Sequence, residues 1–405
     1  MKVVRPEAGL STASWYPLPG FHGRGDFHAD FRNGTINRMQ ASARLWRHFD
    51  VWLLAAVVVL TIAGIAMIRS AIAGNENLSE TVPRQSIYAV IGMAVVLVTA
   101  AVDYRIWSAV ARPLYVVAVL LLGMVLLAGS VGFNAVRWFN IGIATVQPSE
   151  VTKVIMILVL ADYFSRHQFE IGRWGVILRS LALVSLPAVL LFLQPDLSAV
   201  IDLTIIWITI IWAAGVPLRR LAAMAGVALL MVVILWPLLA GYQQARVASF
   251  LFPDPEAQFG ETYNVLQARI AIGSGGVFGQ GYGHGTQVQL RFLKARHTDF
   301  IFSAMAEEFG FIGTVAFLLL LGFVLIRCLR AARSARDPFG ALIAYGITSI
   351  ILFTAAFNIG MNLNLIPVSG VPLPFFSYGG SALAANLLAI GLVQSVTLRH
   401  KVIDL

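Results

Sequence analysis

Arg291-Phe-Leu-Lys-Ala-Arg-His-Thr-Asp-Phe-Ile-Phe-Ser-Ala-Met-Ala-Glu-Glu-Phe-Gly310 decides how the chain reads. A cationic loop runs there into an apolar helix and leaves Asp299 at the junction. A carboxylate at the lip of a membrane helix reaches headgroups at the surface, while low-dielectric surroundings tune its proton affinity. The cations Arg291, Lys294 and Arg296 just upstream would hold an anionic headgroup beside it. Asp is also a common N-cap, so Asp299 has a plain reading as the start of the helix, and the two roles are compatible.

Outward from this stretch the chain repeats the same kind of helix. Of its 405 residues 58% are hydrophobic and only 12% charged, with a mean hydropathy of +0.79. Runs of about twenty apolar residues mark spans at 51–68, 87–102, 114–128, 150–163, 177–192, 197–214, 221–239, 300–326, 339–361 and 381–397. The expected fold is therefore all-α, a polytopic membrane protein of about ten helices. Residues 1–50 read as a disordered basic leader and 51–405 as the membrane domain, with a large extracytoplasmic loop at 240–298. His22, Asp26, His28 and Asp30 in the leader match no metal-ligand spacing. The single cysteine, Cys328, excludes an intrachain disulfide.

The net charge of +9 suggests nucleic acid at first sight, but much of it sits in short loops beside spans, where it sets topology and meets anionic lipid. Arg166, Arg173, Arg219, Arg220, Arg327, Arg330, Arg333, Arg336, Arg399 and Lys401 fall on the side that carries the leader, which makes that side cytoplasmic and turns Asp299 outward.

Further residues stand out. Glu150 and Lys153 share a face in the first turn of the fourth span. Lys153 lies roughly 5 Å inside the boundary, where it either snorkels or faces the bundle interior. Glu307 and Glu308 point about 80° and 180° round the helix from Asp299, so structural ion pairing is expected of them, with a proton relay as the rival. In the long loop, Tyr263, Leu266 and Ile270 form an apolar stripe, predicting an amphipathic helix on the membrane surface. The glycine run from Gly273 to Gly285 reads as a segment able to move rather than a phosphate cradle. Asp196 reads as a turn residue, and Asn358 and Asn362, four apart, as helix glue. The proline- and glycine-rich, nearly uncharged stretch 362–380 must pack on protein or dip into headgroups.

Four ordered motifs carry a family resemblance: Gln147-Pro-Ser-Glu150, Ala271-Ile-Gly-Ser-Gly-Gly276, His297-Thr-Asp-Phe-Ile-Phe302 with Glu307-Glu308, and Pro372-Leu-Pro-Phe-Phe-Ser-Tyr-Gly-Gly-Ser381. They resemble the shape, elongation, division and sporulation (SEDS) proteins. Tyr263-Asn264, Gly285-Thr-Gln287 and Ile366-Pro-Val-Ser-Gly370 are more similar to the elongation branch, RodA, than to the division branch, FtsW. The resemblance implies an inverting glycosyltransferase that polymerises lipid II into β-1,4 glycan on the outer face of the bacterial cytoplasmic membrane. It also implies a class B penicillin-binding protein as transpeptidase partner, and no nucleic acid.

Carried over, the family's essential aspartate is Asp299, acting as general base, and its outer-cavity pair is Glu150 and Lys153. Arg246, Arg269, Lys294, Arg296, His297 and Ser377 complete the expected substrate-binding set, the arginines 246 and 269 as loop counter-charge beside Lys153. No metal ligand is assigned. A divalent cation, Mg or Mn, is the alternative to these cations as the counter-charge for two phosphates. Two departures stand: Lys294-Ala-Arg296 replaces the usual Pro-Glu, and Ser198-Ala199 replaces Gly-Thr. A lipid II flippase and a non-catalytic scaffold are the rival functions.

Overall fold

The computed structural model describes residues 46–128, 130–132, 135–140, 145–238, 241–252 and 260–400. Most of the leader, at 1–45, and Lys401 lie outside the described residues. Ten long helices occupy the ten apolar segments: α1 (Val51–Ala71), α2 (Thr81–Ala101), α3 (Tyr104–Ala128), α4 (Pro148–Arg166), α5 (Trp174–Leu193), α6 (Leu197–Ala213), α7 (Leu218–Leu235), and later α11 (Ile301–Ser334), α12 (Pro338–Asn362) and α13 (Gly380–Leu398). Seven of them, all but α4, α6 and α7, are long and apolar enough to cross a membrane by length and composition. Residues such as Val59, Ile62, Leu120 and Leu319 stand exposed on their outer faces, as lipid-facing side chains do.

The sequence starts several of these helices with its own caps. The Asp50 carboxylate accepts from Leu53 N (2.9 Å) at α1, and Asp337 accepts from Gly340 N (2.8 Å) at α12, where Pro338 occupies the first helical position. Each such cap is worth about 1 kcal/mol. Asp196, read as a turn residue, is the N-cap of α6, accepting from Ala199 N. At the end away from Asp299, side chains lace the bundle together. Arg327 of α11 pairs with Asp50 (2.6 Å), whose backbone is bonded by Gln394 of α13. Tyr104 and Arg105 of α3 both donate to Asp337.

Between α3 and α4 the chain forms a small antiparallel sheet, β1 (Ser130–Gly132), β2 (Ala135–Asn140) and β3 (Thr145–Val146), in that order. The apolar reading had no signal for it, since a strand of two to six residues is too short to show a period. Three further helices cross the site end: α8 (Gly241–Leu251), α9 (Gly260–Ser274) and α10 (Thr286–Gln289). The helix expected at 261–272 is thus present as α9. Its packed face, however, is Val265, Ala268 and Ala271, whereas Leu266 and Ile270 of the expected stripe are exposed.

The glycine run differs most from expectation. Helix α11 breaks at Gly310, whose φ of 64° is open chiefly to glycine. The run fills the break: Gln280 N donates to Glu307 O (3.0 Å), Gly281 N to Glu308 O (2.9 Å), Phe311 N to Gly276 O (2.9 Å) and Ile312 N to Val277 O (3.1 Å). These bonds satisfy the carbonyls and amides that a broken membrane helix would leave orphaned. The run is bonded into the bundle as a wedge. The stretch after α12 behaves likewise. Val371, Leu373, Phe375 and Phe376 are buried, and the Phe376 ring meets Phe317 of α11 with centroids 4.8 Å apart.

Candidate active site

Asp299 sits one residue before Phe300, the N-cap position of α11, and in the first turn of that helix Ser303 N donates to Asn362 Oδ1 (3.2 Å). The N-cap position expected at Asp299 thus falls on the next residue, and the backbone of Asp299 is itself held. Three consecutive carbonyls are each taken by a donor from another part of the chain. Tyr378 N donates to His297 O (3.0 Å), Ser377 Oγ to Thr298 O (2.7 Å), and both Asn358 and Asn362 donate through Nδ2 to Asp299 O (3.0 Å each). A buried carbonyl left unpaired costs about 1–3 kcal/mol, so each donor biases the segment toward one path. Asn358 and Asn362 are fully buried and sit one turn apart on α12, which lets two amides converge on one oxygen. The Asp299 side chain is half-buried, and its Oδ2 lies 3.9 Å from where a Cβ on Gly370 would stand.

The neighbouring residues are engaged in holding this segment rather than in presenting donors outward. Ser377, expected to bind substrate, is 5% exposed and has its hydroxyl fully used: it donates to Thr298 O and accepts from Leu373 N (2.9 Å). Arg296, also expected there, is 7% exposed and donates to Ala71 O at the end of α1 and to Leu293 O. Its Nη2 is buried with no hydrogen-bond partner. Arg296 was placed by sequence proximity and Ser377 by its motif, and neither says which way a loop side chain turns. His297 is half-buried, its imidazole pushed below the ordinary value by burial and then by the Arg296 guanidinium. Lys294 is exposed beside it.

Glu150 and Lys153 are together, and a third residue joins them. The Lys153 ammonium donates to Glu150 Oε1 (2.9 Å) and to Asp202 Oδ2 of α6 (3.0 Å). All three are buried, at 9%, 7% and 2% exposure, so Lys153 faces the bundle interior rather than snorkelling. Two carboxylates sharing one ammonium leave the cluster formally anionic, and Asp202 Oδ1 has no hydrogen-bond partner. Sequence reading missed Asp202, although an acid inside the apolar run 197–213 was signal enough. Glu150 and Lys153 line a cleft of about 410 Å³, counting its open mouth, together with Thr354, Pro372 and Asn386.

Asp299 is not among that cleft's walls. The stretch 370–372 lies between the two: Gly370 faces the Asp299 carboxylate and Pro372 faces the cleft, while Val371 O accepts from the same Asn358 amide that holds Asp299 (2.8 Å). Arg246 is half-buried on α8 and Arg269 exposed on α9, both outside the cleft. Glu307 and Glu308 form no ion pair among the described residues. Glu307, wholly buried, accepts from Thr286 Oγ1 (3.2 Å), Gln287 N (2.8 Å) and Val288 N (3.3 Å), and so caps α10. Glu308 accepts from Ser70 Oγ of α1. For Glu307 the amides of α10 supply the donors in place of a cation, whereas Glu308 Oε2 is buried with no hydrogen-bond partner. Among the described residues no three His, Cys, Asp or Glu side chains converge as a metal site would need.

Known proteins share this arrangement along nearly the whole chain. The cell cycle protein family of FtsW, RodA and SpoVE matches residues 45–402. The peptidoglycan glycosyltransferase MrdB of Escherichia coli K12 is 33% identical over 360 residues, 88% of this chain and 95% of that protein. A probable peptidoglycan glycosyltransferase FtsW of Trichlorobacter lovleyi is 35% identical over 357 residues, 86% and 93%. A chain of a peptidoglycan synthase complex that coordinates polymerization and crosslinking superposes with a TM-score of 0.71 at 30% identity, covering 86% and 97%. The crystal structure of the rod shape determining protein RodA of Thermus thermophilus superposes with a TM-score of 0.63 at 27% identity, 86% and 96%. With the profile, the relatives and the folds agreeing over the same residues, this chain belongs to the FtsW, RodA and SpoVE family of cell cycle proteins.

Proposed function

We propose that the chain is a peptidoglycan glycosyltransferase that polymerises lipid II on the outer face of the bacterial cytoplasmic membrane, with Asp299 as general base. One observation carries the reading. Four donors from α12 and the 370–379 stretch fix the backbone on which Asp299 stands. Such backbone fixing is what a base needs to sit within reach of an incoming hydroxyl. The carboxylate takes the proton of the GlcNAc 4-hydroxyl of one lipid II. The alkoxide-like oxygen attacks the MurNAc anomeric carbon of the other, the bond to undecaprenyl pyrophosphate breaks, and the α linkage becomes β-1,4.

The departing pyrophosphate is anionic, and exposed Arg269 and Lys294 with half-buried Arg246 would supply its counter-charge. The cleft lined by Glu150 and Lys153 receives a polar part of the substrate, Lys153 offering its charge at the cost of its bond to Glu150 or to Asp202. In this reading both termini are cytoplasmic, the branch is the elongation one, and a class B penicillin-binding protein crosslinks the product.

The test uses purified full-length protein with that partner and labelled lipid II in vesicles. Polymer from the wild type and none from Asp299→Asn is the expected result. Lipid II translocation without polymer from either protein would establish the transporter reading in its place. Equal polymer from both removes Asp299 from the chemistry.

A further inference from the structure

We infer that Gln85, in the first turns of α2, is a positioning residue for the polymerisation reaction, acting on Asp299 through the 377–379 backbone. This rests on the reading of Asp299 as the base. Gln85 is 1% exposed, although it lies on a helix that otherwise turns much of its surface outward. Its amide makes two bonds of opposite sense to one short stretch. Nε2 donates to Ser377 O (3.2 Å), and Oε1 accepts from Gly379 N (3.3 Å). A side-chain amide used this way stands in for a neighbouring strand, pairing the carbonyl of one residue and the amide two residues on.

What those residues do next gives the pairing its consequence. Ser377 and Tyr378 are the donors to Thr298 O and His297 O, the two carbonyls that precede Asp299. Gln85 therefore fixes the donors that fix the base: two hydrogen-bond steps run from an α2 side chain to the backbone one residue before Asp299. Nothing in this chain of contacts touches substrate, so Gln85 is not a catalytic residue.

Helix α2 is a firm anchor for such a task. A Cβ added at Gly380 would meet the Tyr88 ring at 2.5 Å, and one at Gly391 would meet Thr99 at 2.8 Å, while Gly92 leaves no room beside Leu387. Small residues on each of α2 and α13 bring the two backbones close at three levels, an interface resistant to sliding. The 377–379 stretch enters α13 directly, so Gln85 and the start of α13 hold it from two sides. Any change that displaces α2 at this end would be felt at Asp299.

The experiment compares Gln85→Met, Gln85→Ala, Ser377→Ala and Asp299→Asn in the purified full-length protein with its crosslinking partner, measuring lipid II polymerisation, melting and the pH dependence of kcat. Gln85→Met keeps the side-chain volume and removes both bonds. It is expected to lower kcat about 10- to 100-fold, the usual effect of misplacing a catalytic group by about 1 Å, with KM nearly unchanged and the acidic limb of the pH profile displaced. Ser377→Ala, which breaks the next link without altering α2, is expected to give the same signature, and combining it with Gln85→Met adds little. A merely structural glutamine would lower the melting temperature and leave kcat and the pH profile of the folded fraction at wild-type values. That outcome with inactive Asp299→Asn overturns the inference alone. A wild-type profile for Ser377→Ala overturns it too, even if neither Gln85 variant folds. An active Asp299→Asn overturns the underlying reading and this one with it.

Discussion

The two ionisable centres at the site end are built by opposite means. Asp299 is held by bonds to the carbonyls of its own segment, none of which involves its charge. Lys153, Glu150 and Asp202 are held by their charges, each located by the ion pair it makes with another. A residue placed by its backbone can change protonation without losing its position, as a proton acceptor must. A residue placed by an ion pair cannot, since protonating or moving one partner strands the other in low dielectric. In the proposed reading proton transfer falls to Asp299, while Glu150 and Lys153 of the buried triad shape the cleft.

Asp299→Asn breaks the comparison most sharply. It keeps the size of the side chain and every carbonyl bond, so the protein should fold as the wild type does while polymerisation falls by about 10²–10⁴-fold, the usual worth of a positioned general base. Calorimetry and a lipid II polymerisation assay on the same sample check the two halves. Lys153→Met should do the reverse. It leaves Glu150 and Asp202 facing each other without a cation, and loss of one partner from a buried pair costs about 3–5 kcal/mol of stability. Its melting temperature should therefore drop far below that of Asp299→Asn. The double variant Lys153→Met with Asp202→Leu should recover part of that loss, because it removes the stranded charge.

Asn362→Ala sharpens the contrast at a smaller scale. It takes one of the two amides from Asp299 O, and also the bond that Asn362 Oδ1 accepts from Ser303 N (3.2 Å). About 1–3 kcal/mol of stability should go with them, and kcat should fall more than KM rises. Gly370→Ala acts from the other side of the carboxylate. Its φ of 73° costs a non-glycine residue about 1–2 kcal/mol, and the new methyl would stand 3.9 Å from Asp299 Oδ2. A several-fold drop in kcat with an altered pH profile is expected, whereas Gly370 replaced by Asn, which tolerates that φ, should melt closer to the wild type.

How much of the fold and site is legible in the sequence follows from the range of each signal. The spans are, because an apolar run of span length seldom occurs outside a membrane helix. Glu150 and Lys153 are, because a three-residue spacing on one helix fixes a shared face. Asp202 comes from a helix 49 positions along the chain from Lys153, a pairing that no local pattern records. The role of Ser377 is misread for the same reason: its partner Thr298 lies 79 positions away, and motif membership says that a residue matters without saying which way it turns. The glycine run misleads most. Glycine is as common where a loop moves as where a backbone must be approached closely, and only the break at Gly310 shows which applies here.

The smallest expected effect is a pH dependence at His297, one residue from the pair of carbonyls that Ser377 and the asparagines hold. Burial, and then the positive Arg296 beside it, disfavour the imidazolium, so its pKa in the folded protein lies below the ordinary value of 6.5. The unfolded chain then binds a proton at a pH where the folded chain does not. Stability should therefore be complete above pH 6.5, decline as pH falls through that value, and level off once the folded imidazole is also protonated. His297→Gln, which cannot titrate, should flatten this part of the melting-temperature profile and leave the slope at lower pH, where carboxylates titrate, as it was. If the profile between about pH 5 and 7 keeps its slope in that variant, the decline belongs to other groups. His297 would then titrate as an exposed histidine does, despite its place under Tyr378, whose ring centroid stands 5.9 Å away.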